Sequence, residues 1–204
     1  MAYSAIILAG GRGKRMGYRE KSMMVINGKP LITYVIKSLE NVVDEIIISV
    51  RDKPQGELLD TILPGYTYAY DEFENKGPLS GILGGLTLCR NEFCFVAACD
   101  MPFINEDVVK MLFRLSESHD AAIPRWEDGF LEPLHAVYRC KSMIRESRKA
   151  IELGENTIIA PIFRINVNYM SIETIRKIDP DLRTFININT PEDMELIPNN
   201  IDPD

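Results

Sequence analysis

The chain has 204 residues, 46% of them hydrophobic and 26% charged, which suits one domain with a core covered on both sides. Its formal net charge of −7 gives no general attraction to nucleic acid or anionic lipid, so neither is predicted as a partner. No apolar run approaches the ~20 residues that a membrane span needs.

The cysteines and the N-terminus indicate a cytoplasmic protein. The chain begins without the charged and apolar regions of a secretory signal. Its cysteines form no CxxC pair and have no histidines at zinc spacing. We therefore expect reduced, mostly buried thiols. The four are Cys89, Cys94, Cys99 and Cys140.

Short apolar runs alternate with helical patterns in the first half of the chain. We predict strands in "AIILAG", "EIIISV", "YTYAYD" and "FCFVAACD", and helices over 30–39, 55–63 and 78–89. A further helix, "NEDVVKMLFRLSE", is predicted with Asn105 as its cap. This β-α-β-α order predicts an α/β, Rossmann-like fold whose mainly parallel sheet has helices on both faces.

The second half of the chain predicts mixed strands. "AAIPRW" and "LHAVYR" are close enough to pair without an intervening helix. "TFININ" is predicted as a final strand, and "TPEDMELI" as a short helix capped by Thr190, with Asp193 three residues on. We expect a single domain over 1–197 and a loose tail over 198–204.

A glycine-rich, basic loop follows the first predicted strand, which ends at Leu8. Gly10 and Gly11 allow close backbone approach to a ligand, and ligands of open α/β sheets bind at the carboxyl ends of strands. Four cations of this region favour a polyphosphate over a plain turn with solvated side chains. They are Arg12, Lys14, Arg15 and Lys21.

Two common phosphate motifs are excluded. "GKR" and "GKP" lack the Ser or Thr that ends a P-loop. "GRGKRMG" is one residue too long for a GxGxxG dinucleotide fingerprint, which argues against a hydride-transfer enzyme. A carboxylate, Asp100, ends the apolar strand "FCFVAAC", where it needs water, an ion pair or a metal.

These residues carry a family resemblance. "LAGGRGKRMGYREK" resembles the LAGGxxxRMGxxK motif of nucleotidyltransferases, and "KGPLSGI" and "CDMPF" resemble two later motifs of these enzymes. "FININTPEDM" is similar to the molybdenum cofactor guanylyltransferase branch. The resemblance implies a nucleotide-diphospho-sugar transferase-like fold, with a nucleotide side over about 1–103 and an acceptor side over about 104–197. It implies transfer of GMP from GTP to molybdopterin, giving the guanine dinucleotide cofactor and pyrophosphate.

The resemblance also implies roles for individual residues. Arg15, Lys21 and Asp100 would be catalytic, and Asp100 would bind Mg²⁺. Asn187 and Asn189 would bind molybdopterin, since alternate residues of a strand share one face. A larger set would contact GTP: Leu8, Ala9, Gly10, Gly11, Lys21, Asp71, Gly77, Pro78, Leu79, Gly81 and Asp100.

Several alternatives stay open from the sequence. The enzyme could be a cytidylyltransferase on the same acceptor, or transfer a nucleotide to a sugar phosphate or phospholactate. A regulatory nucleotide-binding module is a further alternative, and molybdenum-insertion proteins and molybdoenzymes are candidate partners. Arg51 stands where the family can carry a nucleotide-contacting Asn. His135 either lines the acceptor side with Glu132 or packs in the core, and His119 is expected at the surface.

Overall fold

The computed structural model describes residues 1–13, 19–71, 73, 77–190 and 192–196. Arg15 and the expected tail therefore lie outside the described residues. The strands are β1 (Ser4–Leu8), β2 (Arg12–Gly13), β3 (Arg19–Glu20), β4 (Val25–Ile26), β5 (Lys29–Pro30), β6 (Glu45–Val50), β7 (Thr67–Tyr70), β8 (Phe93–Ala98), β9 (Ala121–Arg125), β10 (His135–Arg139) and β11 (Val167–Ser171). The α-helices are α1 (Leu31–Glu40), α2 (Lys53–Ile62), α3 (Pro78–Leu88), α4 (Glu106–Ser116), α5 (Cys140–Glu152), α6 (Ile159–Ile162) and α7 (Ile172–Arg176).

The main sheet has seven strands in the order β11-β9-β10-β8-β1-β6-β7. The pairs β1–β6, β1–β8, β6–β7 and β9–β11 are parallel, whereas β10 is antiparallel to both β8 and β9. This confirms the predicted fold class, including the mixed strands of the second half. It also places the carboxyl ends of β1, β6, β7 and β8 at one edge of the sheet.

Hydrophobic cores lie on both faces of the sheet. Neighbouring residues of β1 face opposite ways, so Ile7 belongs to the core that contains residues of α1, α2 and α4, and Ile6 to the core that contains residues of α3 and α5. Both isoleucines are fully buried. A central strand covered on both faces needs a continuous apolar run, which is why its sequence does not alternate. In the described part of the chain, no helix is both long and apolar enough to cross a membrane.

The helices of the first half form close to their predicted bounds. α2 begins at Lys53, two residues before the predicted start, because the carboxylate of Asp52 accepts the Gln55 N–H at 2.9 Å and caps the helix. The Asn105 side chain caps α4 as predicted, accepting from the N–H groups of Asp107 and Val108.

The predicted final strand "TFININ" is wrong. Arg183–Phe185 forms a 3₁₀ helix, and residues 186–189 have no regular secondary structure. The Ile188 N–H donates to the Asp100 carbonyl at 2.8 Å, so this segment is bonded to the chain beyond the end of β8 and joins no strand ladder. The last strand is instead β11, which the sequence analysis did not predict and which pairs with β9.

The predicted short helix near the C-terminus is present as a 3₁₀ helix, Glu192–Leu196. Thr190 Oγ1 accepts the Asp193 N–H at 3.2 Å, and the Asp193 carboxylate accepts the N–H groups of Asn189 and Thr190 at 2.7 and 2.8 Å. This reciprocal cap fixes the backbone at Asn189.

Candidate active site

A cleft of about 430 Å³ opens where β1, β6, β7 and β8 end. Ligands bind at this edge in open α/β sheets because loops and helix N-termini converge there. Most residues predicted to contact the nucleotide line it. They are Leu8, Gly10, Gly11, Lys21, Asp71, Gly77, Pro78, Gly81 and Asp100. Ala9 and Leu79 are fully buried beside the cleft.

An ion pair lies at the floor of the cleft. Lys21 Nζ is 2.7 Å from Asp100 Oδ2 and donates to Asn189 Oδ1 at 2.5 Å. Asp100 is 9% exposed, and its other oxygen, Oδ1, is buried with no hydrogen-bond partner among the described residues. The predicted carboxylate and lysine are therefore brought together across 79 positions of sequence.

The two asparagines have different surroundings. The Asn189 side chain accepts from the Lys21 ammonium, whereas Asn187 is exposed and donates to the Phe185 carbonyl at 3.2 Å. Ile188 between them is fully buried. Ile188 therefore points away from the two asparagines although these residues form no strand. Asn189 nevertheless contacts Lys21, which was assigned to the nucleotide, and not a separate acceptor site.

Asp71 follows β7 and lines the opposite wall of the cleft. Burial raises the pKa of its carboxyl to about 6, with the charge of Arg51 acting to lower it and that of Asp52 to raise it. A carboxyl with this pKa changes its ionisation close to neutral pH. A titratable group with a shifted pKa in a cleft is typical of a functional site.

Gly81 of α3 lets this helix pack closely against β6. A Cβ at this position would lie 2.7 Å from Ser49 Oγ and 3.2 Å from Asp71 Oδ1. A larger residue at this position would require the Ser49 side chain or α3 itself to shift. Gly81 therefore supports the packing of this wall of the cleft.

Arg51 also lines the cleft, but its guanidinium is bound to carboxylates. Its Nη2 donates to Glu20 Oε1 at 2.9 Å and its Nε to Asp52 Oδ2 at 2.9 Å. Gln55, which is 4% exposed, donates to Glu20 Oε2 at 3.0 Å. The sequence analysis missed Glu20 and Gln55; the signal that could have pointed to Glu20 is an acidic residue directly before the motif lysine.

His135 packs in the core, which was one of its two predicted alternatives. It is fully buried between the rings of Phe95 and Phe185, and its Nε2 is 3.1 Å from Thr184 Oγ1. Burial lowers the pKa of the imidazole to about 3. Glu132 accepts instead from Trp126 Nε1 at 2.7 Å.

An open, mainly parallel sheet with a glycine turn, a lysine and a carboxylate at its carboxyl edge defines a nucleotide-binding α/β protein. Residues 5–164 match the family model described as "MobA-like NTP transferase domain". Relatives from Methanosarcina mazei and Methanosarcina acetivorans are each 47% identical over 94% of this chain and 88% of their own length; both are named "Probable molybdenum cofactor guanylyltransferase".

A solved structure agrees with these sequence relatives. The crystal structure of molybdopterin-guanine dinucleotide biosynthesis protein A from Archaeoglobus fulgidus superposes with a TM-score of 0.81 at 33% identity, covering 95% of each chain. The chain therefore belongs to the MobA-like NTP transferase family, in its molybdenum cofactor guanylyltransferase branch. This confirms the resemblance drawn from the motifs.

Proposed function

We propose that this protein transfers GMP from GTP to molybdopterin with the help of Mg²⁺, releasing pyrophosphate. The observation that carries the proposal is the Lys21–Asp100 pair, 2.7 Å apart, on the floor of the cleft beside the glycine turn. The names of the relatives and of the Archaeoglobus structure support guanine as the base and molybdopterin as the acceptor.

The reaction joins two anions, so the site must neutralise charge and hold the groups in line. The acceptor phosphate attacks the α-phosphorus of GTP, a new P–O bond forms, and the bond to pyrophosphate breaks. The acceptor phosphate is already ionised at neutral pH, so no strong base is required. Lys21 supplies positive charge for the triphosphate, with Asn189 holding its ammonium. Arg15 would add a second cation.

The donor set at Asp100 suits magnesium. Its buried Oδ1 has no partner among the described residues, and within the same residues no three carboxylate, His or Cys side chains group as a metal site. Mg²⁺ is typically held by one or two carboxylates together with water and phosphate oxygens. Asp100 would hold the ion through Oδ1, and the bound ion would neutralise charge on the nucleotide phosphates.

The two sides of the cleft divide the substrates. We assign GTP to residues of the first half, with the base read by the backbone of Leu8, Ala9 and Gly10 and a contact from Asp71. We assign molybdopterin to the side formed by about 104–197, where Asn187 is exposed. The free thiols of all four cysteines are typical of a reducing compartment, so we place the reaction in the cytoplasm.

A nucleotide panel with molybdopterin tests this proposal. Wild-type protein is incubated with GTP, CTP, ATP or UTP, with and without Mg²⁺, and pyrophosphate release is measured. We expect release with GTP that needs both molybdopterin and Mg²⁺. Preferred use of CTP would move the protein to cytidylyl transfer, and nucleotide binding without release would indicate a regulatory module.

A further inference from the structure

A cluster of polar side chains at the edge of the cleft, of which Gln55 is buried and the others are partly exposed, connects residues 9–10 with residue 20. It consists of Glu20, Arg51, Asp52 and Gln55, which we call the Glu20 clamp. Both oxygens of Glu20 accept hydrogen bonds: Oε1 from Arg51 at 2.9 Å, and Oε2 from Gln55 at 3.0 Å and from Arg51 at 3.5 Å.

The same donors also hold the start of the loop. Gln55 Nε2 donates to the Ala9 carbonyl at 2.8 Å, and Arg51 Nη1 to the Gly10 carbonyl at 3.4 Å. The chain runs close here, since a Cβ on Gly10 would lie 3.2 Å from the Arg51 backbone nitrogen. One clamp therefore fastens residues 9–10 and residue 20, on either side of the basic segment.

The clamp rests on a rigid element. Asp52 caps α2 through Oδ1 and accepts Arg51 Nε through Oδ2, and the Arg51 N–H donates to Gln55 Oε1 at 2.9 Å. Gln55 lies in the first turn of α2 and is almost fully buried. Polar side chains that share this many hydrogen bonds hold one geometry, because a displacement breaks several of these bonds at once.

We propose that Glu20 is a positioning residue for Lys21, and that Arg51 acts through Glu20 and is not a phosphate ligand. Glu20 directly precedes Lys21 and stands at the N-cap of the 3₁₀ helix Lys21–Met23. Holding Glu20 fixes the backbone from which Lys21 reaches Asp100 and Asn189. All three guanidinium nitrogens of Arg51 are already donating, to Glu20, Asp52 and Gly10.

This proposal rests on the proposed GTP function, and it predicts that removing a negative charge near the triphosphate weakens GTP binding. Glu20 is an anion beside a polyphosphate site, so by its charge alone its removal would strengthen GTP binding. As a positioning residue its removal weakens GTP binding, because Lys21 loses its fixed approach. A purely electrostatic role and a positioning role of Glu20 therefore predict opposite changes in GTP affinity for the same variant.

The test compares the GTP affinity of variants by calorimetry. Glu20→Ala is expected to weaken GTP binding about 10- to 100-fold, with turnover reduced as well. Glu57→Ala is the matched control. It removes a glutamate on α2 whose exposed ion pair with Lys53, 3.6 Å apart, lies away from the residues that line the cleft. Unchanged or tighter GTP binding by Glu20→Ala overturns the proposal.

Variants of Arg51 and a double variant of Glu20 and Lys21 separate positioning from direct contact with GTP. Arg51→Lys keeps the charge but loses the planar fork, so we expect it to bind GTP as weakly as Arg51→Ala. Full rescue by Arg51→Lys would make Arg51 a phosphate ligand and overturn the proposal. In a Lys21→Ala background, adding Glu20→Ala is expected to change GTP affinity less than about twofold, and additive losses would contradict the coupling.

Crystal structures give a readout that does not depend on the substrate. In Glu20→Ala, and in Glu20→Gln should the first variant not fold, we expect the Lys21–Asp100 distance to lengthen from 2.7 Å. A retained ion pair would overturn the proposal. If the wild type does not use GTP, the proposed function is contradicted. The positioning role of Glu20 is then still tested by the Lys21–Asp100 distance in the Glu20 variants.

Discussion

The buried imidazole of His135 makes the stability of the fold sensitive to mild acid. Thr184 Oγ1 accepts the Asn105 N–H at 3.0 Å and lies 3.1 Å from His135 Nε2, and the imidazole tautomer decides which of these two atoms donates. Nδ1 of the same ring is buried with no hydrogen-bond partner among the described residues. Protonation of His135 would put an N–H on both ring nitrogens, leave that of Nδ1 without an acceptor, and place a charge between Phe95 and Phe185.

The size of the effect follows from linkage. Burial holds the native pKa at about 3, against 6.5 for the ordinary value, so between these two values the unfolded chain binds a proton that the native protein does not. The stability that His135 contributes is complete above pH 6.5 and is lost as the pH falls toward 3. Integration gives a loss of about 2 kcal/mol from this histidine between pH 7 and pH 5.

Urea denaturation at pH 7 and pH 5 measures this loss. The comparison is between wild type and His135→Gln, whose neutral amide can donate to or accept from the Thr184 hydroxyl. We expect the variant to be less stable at pH 7 but to lose about 2 kcal/mol less than wild type on going to pH 5. His119→Gln, at the partly exposed second histidine, is the control. Equal losses in wild type and His135→Gln would refute the reasoning.

Three further predictions concern the cleft. Asp100→Asn is expected to stay folded and to lower kcat on the order of 10²–10³-fold, because it weakens both the Lys21 pair and the proposed Mg²⁺ ligand; near-normal Mg²⁺-dependent turnover would contradict this role. Burial raises the pKa of Asp71 to about 6, and its ionised carboxylate is the form that accepts hydrogen bonds from guanine N–H groups through both oxygens; GTP binding by wild type should therefore weaken as the pH falls from 7 to 5, and Asp71→Asn should reduce that dependence, whereas parallel profiles by calorimetry would exclude Asp71 as the titrating contact. Asn189→Ala should weaken GTP binding through Lys21, whereas Asn187→Ala should leave it within about twofold and affect molybdopterin binding alone; the reverse pattern would disprove the assignment.

The fold class and the main elements could be predicted from local patterns in the sequence. Apolar runs such as "EIIISV" and "FCFVAACD" can be satisfied only where both faces are covered, which indicates central parallel strands. The Asn105 cap and the Thr190–Asp193 cap were also readable, because a capping side chain binds backbone only two to three residues away. Lys21 and Asp100 were predicted as site residues from the motifs that contain them, and Asp100 also from its position at the end of an apolar strand.

Contacts between distant segments could not be predicted from these local patterns and are seen only in the folded chain. "TFININ" has the alternation of a strand, yet a strand also needs a partner edge, and its Ile188 bonds to Asp100 while β11 takes the edge beside β9. Alternation likewise placed Asn187 and Asn189 together, but it could not show that Asn189 reaches Lys21, 168 positions away. Arg51 could be a phosphate ligand or a clamp by its chemistry alone, and the carboxylates around it come from two segments that the fold brings together. A cap or a buried strand depends on residues that are close in sequence, so it can be predicted from them. The pairing of distant segments depends on which strand edges and side chains of the whole fold are free to bind, so it cannot be predicted from one segment alone.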